Sequence, residues 1–133
     1  MTYLLMVTIL ECVDEIETMR RNLRSRERSR QEELARLLVR ARADFAHIAS
    51  HIASTYEPRR IWQWGSLIDG HHFTERSDID LALEGVESAD AFFAILRDAE
   101  AMTTFSVDIV QLETIHPEFA DSIRSRGRIV HER

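Results

Sequence analysis

Lysine is absent from these 133 residues, cysteine occurs once, proline twice and glycine four times. The lone cysteine, Cys12, excludes an internal disulfide, fits a reducing compartment and reads as an ordinary apolar side chain. With proline only at 58 and 117, few positions forbid helix. The apolar run Tyr3 to Leu10 has no basic flank before it and falls far short of the roughly 20 residues that a membrane span needs. A soluble, cytoplasmic chain with no membrane partner is therefore expected. No internal repeat or low-complexity segment is present.

Positive charge is carried by arginine alone, and 17 basic against 23 acidic side chains leave a formal net charge of -6. That balance argues against a general nucleic-acid coat protein, and no direct nucleic-acid contact is expected. The arginines crowd between Arg20 and Arg42, but glutamates interleave with them, as on a solvated helical arm. A chain of this length buries roughly two thirds of its extended surface on folding, enough for one domain around one core.

Residues 1–28 read as a charged, helical arm and residues 29–133 as the single domain. Ser29 to Glu32 has capping-box spacing, and Leu34, Leu37, Leu38, Ala41, Phe45, Ile48 and Ile52 recur at three and four, which predicts a long amphipathic helix from Ser29 to Thr55. Glu57-Pro58 should end it. Strands are predicted at about Arg60 to Trp64, Asp78 to Leu83 and Phe105 to Leu112. A helix over Ser88 to Ala101 should turn Ala89, Phe92, Phe93 and Leu96 inward, and Pro117 should open a helix that Gly127 stops before a short strand at Arg128 to His131. Trp62 and Trp64 share one strand face, as core side chains do. His71 and His72 read as loop residues, since no further histidine or cysteine stands at a ligand spacing.

The chemistry concentrates in Gly65-Ser66-Leu67-Ile68-Asp69-Gly70 and Ser77-Asp78-Ile79-Asp80-Leu81. Glycine after a strand lets backbone approach a ligand closely, and the serine is expected to cap a helical turn. Asp78 and Asp80 lie two apart in an apolar strand, so both project to one side, and Asp108 interrupts a second apolar strand. Three carboxylates near a phosphate cradle suit a hard divalent cation such as Mg²⁺, which takes carboxylate and phosphate oxygens together, so a ready-made metal site is expected.

The stretch GSLIDGHHFTERSDIDLAL, with VDIV downstream, resembles the minimal nucleotidyltransferases of the polymerase-beta-like superfamily, over about residues 59–131. The resemblance implies an α/β nucleotidyltransferase fold, a small mixed sheet with helices on one side, preceded by the long N-terminal helix. It implies that Gly65 and Ser66, with Arg76 and Ser77 beyond the loop, bind the nucleotide, and that Asp78, Asp80 and Asp108 hold two Mg²⁺ ions and are catalytic, with ATP as substrate. Leu67, Ile68 and Asp69 depart from the family, whose members commonly carry an arginine there, and Arg76 is the candidate replacement. Proteins of this size in that family are often antitoxins of HEPN toxins. The implied function is Mg²⁺-dependent transfer of AMP from ATP to a hydroxyl, a tyrosine, of the partner HEPN ribonuclease. Neutralisation of the toxin by binding alone is the alternative. A homodimer or hetero-oligomer is compatible with either.

Overall fold

The computed structural model describes residues 2–133, which form two compact units, one ending at Ala35 and the other running from Arg36 to Arg133. The order of elements is helix α1 (Thr2–Tyr56), strand β1 (Arg60–Trp64), a single 3-10 turn (Gly65–Leu67), β2 (Ile79–Glu84), α2 (Ala89–Ala101), β3 (Val107–Gln111), α3 (Pro117–Arg126) and β4 (Arg128–Glu132). No helix is long and apolar enough to cross a membrane.

The expected helix start at Ser29 is corrected, because α1 runs 55 residues without a break. A cap satisfies amides that lack a carbonyl four residues earlier. Residues 11–30 contain no glycine or proline, so those carbonyls are already in place when the helix reaches Ser29. The other end falls where expected. Tyr56 closes the helix, Glu57 takes a left-handed φ of 50°, and Pro58 follows. Asp98 of α2 then ties α1 to α2, accepting hydrogen bonds from Tyr56 Oη at 2.6 Å and from His51 Nε2 at 2.9 Å. Those two bonds hold the Asp98 carboxyl below its ordinary value.

Within residues 36–133 the four strands lie in the order β3-β2-β1-β4, with β1 antiparallel to both β2 and β4 and β2 parallel to β3. The sheet is therefore mixed. Alternation sorts its side chains into two cores. Ile61, Ile79, Leu81, Leu83 and Ile109 face one way and meet Ala41, Phe45, Ile48 and Ile52 of α1 with Ile95 and Ala99 of α2. Trp62 and Ala82 face the other way and meet Ala120 and Ile123 of α3. Helices on one side describes α1 and α2; α3 lies on the opposite face, because its short apolar stripe finds the tryptophan face of β1 unfilled. The expected inward set of α2 holds for Phe92 and Leu96, which pack against the first core beside the buried Ile95 and Ala99, and fails for Ala89, which is exposed, and Phe93, which is 62 % exposed and stacks edge-on against Phe92. The six consecutive apolar residues Ala91 to Leu96 left the helical phase open, and the sheet surface decided it.

One buried charge locks the second core. Glu84, 2 % exposed at the end of β2, accepts hydrogen bonds from Arg59 at 2.7 Å and Trp62 Nε1 at 2.8 Å, with Arg60 at 3.4 Å and Arg124 of α3 at 3.7 Å. Burial raises its pKa, but the Arg59 and Trp62 bonds, aided by the charges of Arg124 and Arg60, outweigh burial and leave it below the ordinary value. A carboxyl with a lowered folded pKa contributes stability that is complete above the unfolded value and drains as pH falls through the folded one. Because its arginine partners are a third or more exposed, the effect is moderate. Glu84→Gln should cost about 1–3 kcal/mol at neutral pH, with the gap to wild type closing under acid. Chemical denaturation across pH measures this, and a gap independent of pH would contradict it.

Candidate active site

The site forms where β1 ends and β2 and β3 begin. Antiparallel pairing sets Trp64 opposite Asp80, and parallel pairing sets Asp80 opposite Asp108, so both aspartates stand side by side on the face that carries Trp62 and Trp64. Asp78 precedes Ile79, the first residue of β2, by one position and is exposed. Gly65 follows Trp64 with a φ of +80°, a left-handed conformation that favours glycine. There is no room for a side chain at this position. A Cβ built on Gly65 would collide with the Asp80 carboxylate, so the glycine-serine turn and the acidic strand are in direct contact.

Asp80 is half-buried, and its carboxyl is pushed up to about 7 by burial first, then by the charges of Asp108 and Asp78. Neighbouring carboxylates resist ionising together, and positive charge placed among them reverses that effect. Among the described residues, however, no three His, Cys, Asp or Glu side chains are gathered closely enough to form a metal cluster. The expectation of a ready-made site is corrected to that extent: Asp78 lies in the loop ahead of β2 rather than in the strand, and it and Asp108 are exposed. The donor chemistry still fits a hard divalent cation, since all three groups offer carboxylate oxygens and the central one lacks a counter-charge.

Other residues take up roles that local sequence did not reveal. Ser66 lies inside the 3-10 turn rather than capping it; Trp64 occupies the cap position without a side-chain bond, and the Ser66 carbonyl accepts the Gly70 amide at 3.0 Å. The Asp69 carboxylate accepts the His71 amide at 2.9 Å, an Asx turn that explains an acid in this loop. Ser77 Oγ accepts the Thr74 amide at 2.8 Å and so closes the far turn, in which Arg76 is exposed. His71 and His72 are exposed loop residues.

Two arginines distant in sequence stand by the glycine-serine turn, Arg42 through hydrogen bonds and Arg126 across a pocket that Gly65 also lines. From α1, Arg42 donates to the carbonyls of Leu67 at 3.0 Å and Ile68 at 3.3 Å, and Leu38 packs where a Gly70 side chain would stand. Arg126, at the end of α3, lines a pocket of about 360 Å³ together with Trp64, Gly65, Asp69, Phe119 and Ser122. Trp64 meets Phe119 edge-on at 5.3 Å there, and its buried Nε1 has no hydrogen-bond partner among the described residues. A larger hollow of about 790 Å³ lies behind the turn, among Arg42, Phe45, Gln63, Arg128 and His131. It lies on the α1 side with Phe45 and Gln63, whereas the smaller pocket borders the turn itself at Gly65, and Asp78, Asp80 and Asp108 line neither. No signal in the sequence marked Arg42 or Arg126, because each stands by the turn only through the packing of its helix.

A mixed sheet carrying a glycine-serine turn against paired aspartates defines a nucleotidyltransferase core. The family described as polymerase beta, nucleotidyltransferase matches residues 46–133, and the chain belongs to it. No curated protein matches it closely. Among solved structures the chain is similar to a toxin-antitoxin solved with AMP-PNP, at 18 % identity and a TM-score of 0.55 over 65 % of this chain and 73 % of that one. It is also similar to a mutant of the toxin-antitoxin MntA-HpeT, at 15 % identity and a TM-score of 0.55 over 67 % of this chain and 73 % of that one. At these identities the likeness is one of fold.

Two outcomes follow from this packing. Gly65→Ala should destabilise the chain by about 1–3 kcal/mol, measured by chemical denaturation; unchanged stability would mean that the Asp80 carboxylate does not rest on the turn. Arg42→Ala should speed hydrogen exchange at the Gly70 amide by about tenfold, with the α2 amides unaffected, and equal exchange in both proteins would remove Arg42 from the support of the turn.

Proposed function

We propose that this chain is an antitoxin of the minimal nucleotidyltransferase kind, which transfers AMP from ATP to a hydroxyl, a tyrosine, of a HEPN ribonuclease toxin. The observation that carries the transfer reaction is the contact of Asp80 with Gly65, which sets one carboxylate against the glycine-serine turn with Asp108 beside it on the neighbouring strand. Support for the antitoxin role comes from the fold neighbours, both toxin-antitoxin proteins, one of them solved with AMP-PNP. The net charge of -6 also suits a partner whose RNA-binding surface is basic.

In this reading the amides of Gly65 and Ser66 and the Ser66 hydroxyl take the β- and γ-phosphates. Arg126 across the adjoining pocket, and Arg76 and Ser77 at the far end of the loop, supply further donors in place of the family's loop arginine. Asp78 and Asp80 would hold two Mg²⁺ ions, with Asp108 sharing one, and the ions when bound neutralise phosphate charge during displacement. Asp108 orients the acceptor hydroxyl and accepts its proton. The acceptor oxygen then bonds to the α-phosphorus as the bond to the bridging oxygen breaks, and pyrophosphate leaves.

A second reading, neutralisation by contact alone, is favoured by the acidic Asp69 turn and by the ungathered carboxylates. Incubation with labelled ATP, Mg²⁺ and the toxin separates the two. Transfer of label, reduced at least a hundredfold by Asp78→Ala or Asp80→Ala, is the expected result. Full neutralisation by those variants without any label transfer would establish the contact mechanism instead.

A further inference from the structure

We infer that the N-terminal part of α1 is one strand of a parallel, two-stranded coiled coil formed with a second copy of this chain. In the sequence, Thr2, Leu5, Ile9, Cys12, Ile16, Met19 and Leu23 follow one another at alternating spacings of three and four, the heptad spacing of a coiled-coil seam. The helix is continuous through all of them. Leu5, Ile9, Ile16, Met19 and Leu23 are 49–63 % exposed, and Cys12 is exposed as well. An apolar stripe of this length, roughly 33 Å at 1.5 Å per residue, stabilises a helix in water only when another surface covers it.

The same residues say what covers it. With Thr2, Ile9, Ile16 and Leu23 at the first core position of each heptad and Leu5, Cys12 and Met19 at the second, the two β-branched isoleucines fall where parallel dimers place them, and the complementary position carries unbranched or γ-branched residues, of which Leu5 is the preferred leucine. The flanking charges choose the direction. In a parallel dimer Glu15 of one copy faces Arg20 of the other, five residues on, and twofold symmetry makes the pair twice. Of the two antiparallel registers that overlap the same seam, one sets Glu15 against its own copy, two like charges, and the other sets it against Thr8, so only the parallel pairing gives it a cation. Beyond Leu23 the next two seam positions are Arg26 and Arg30, so the apolar contact stops there. This assembly is independent of the transfer reaction, because none of its residues belongs to the site.

Light scattering on the purified full chain, with mild oxidation in parallel, tests the inference. The expected mass is twice the 15.5 kDa of one chain, and copper-phenanthroline should join the two copies through Cys12, since parallel register places the two thiols opposite each other. Ile16→Asp should yield monomers that keep the stability of residues 36–133. Glu15→Arg should weaken the dimer about tenfold or more, and Glu15→Arg with Arg20→Glu should restore it to within about threefold of wild type. A monomeric wild type, a dimer that cannot be cross-linked at Cys12, a dimer indifferent to Ile16→Asp, or association only with a protein of another sequence would each overturn it.

Discussion

The candidate site rests on a half-buried carboxylate held against a glycine that has no room for a side chain. Asp80 occupies the space that a Cβ on Gly65 would need, and the pairing of β1 with β2 fixes that contact through Trp64 and Asp80. The parallel pairing of β2 with β3 then delivers Asp108 to its side. Two carboxylates on neighbouring strands, one of them partly desolvated, are costly without a counter-charge, which is why the Asp80 carboxyl is raised. The arrangement sets a raised carboxyl, with a second acid on the neighbouring strand, directly beside the glycine-serine turn.

The remainder of the second unit braces this point from both faces. On one face α1 buries Ala41, Phe45, Ile48 and Ile52 against the sheet, and from the same helix Arg42 fixes the carbonyls that follow the turn. On the other face α3 packs Ala120 and Ile123 against Trp62, and its last turn brings Arg126 to the pocket beside Gly65. At the far end of β2, Glu84 joins Arg59, Trp62 and Arg124, so the charge that anchors α3 is separated from the carboxylates that face solvent. Structural and candidate catalytic acids thus occupy opposite ends of one six-residue strand.

Much of this was legible in the residues. Strand β1, helix α3 and its Gly127 stop follow from local signals, and the glycine-serine turn and the strand that carries Asp80 announce themselves by composition and spacing, although Asp78 falls in the loop ahead of that strand. What depends on packing was not. The phase of α2 at Phe92 and Phe93 was settled by the sheet, the side on which α3 lies was settled by the tryptophan face, and Ser29 has the spacing of a cap yet sits in mid-helix. Arg42 and Arg126 lie 23 residues before and 61 residues after Gly65, distances at which only the folded chain makes neighbours. The acid at Asp69, unexpected beside a phosphate site, is explained by a backbone bond that no spacing rule displays.

In the proposed reaction the Asp80 corner binds a nucleoside triphosphate together with a divalent cation. Isothermal titration with a non-hydrolysable ATP analogue, with and without Mg²⁺, on wild type and on Asp80→Asn, tests it most directly. Binding that requires Mg²⁺ and falls at least tenfold in Asp80→Asn is the expected result. Equal affinity with and without the cation, or in both proteins, would contradict it.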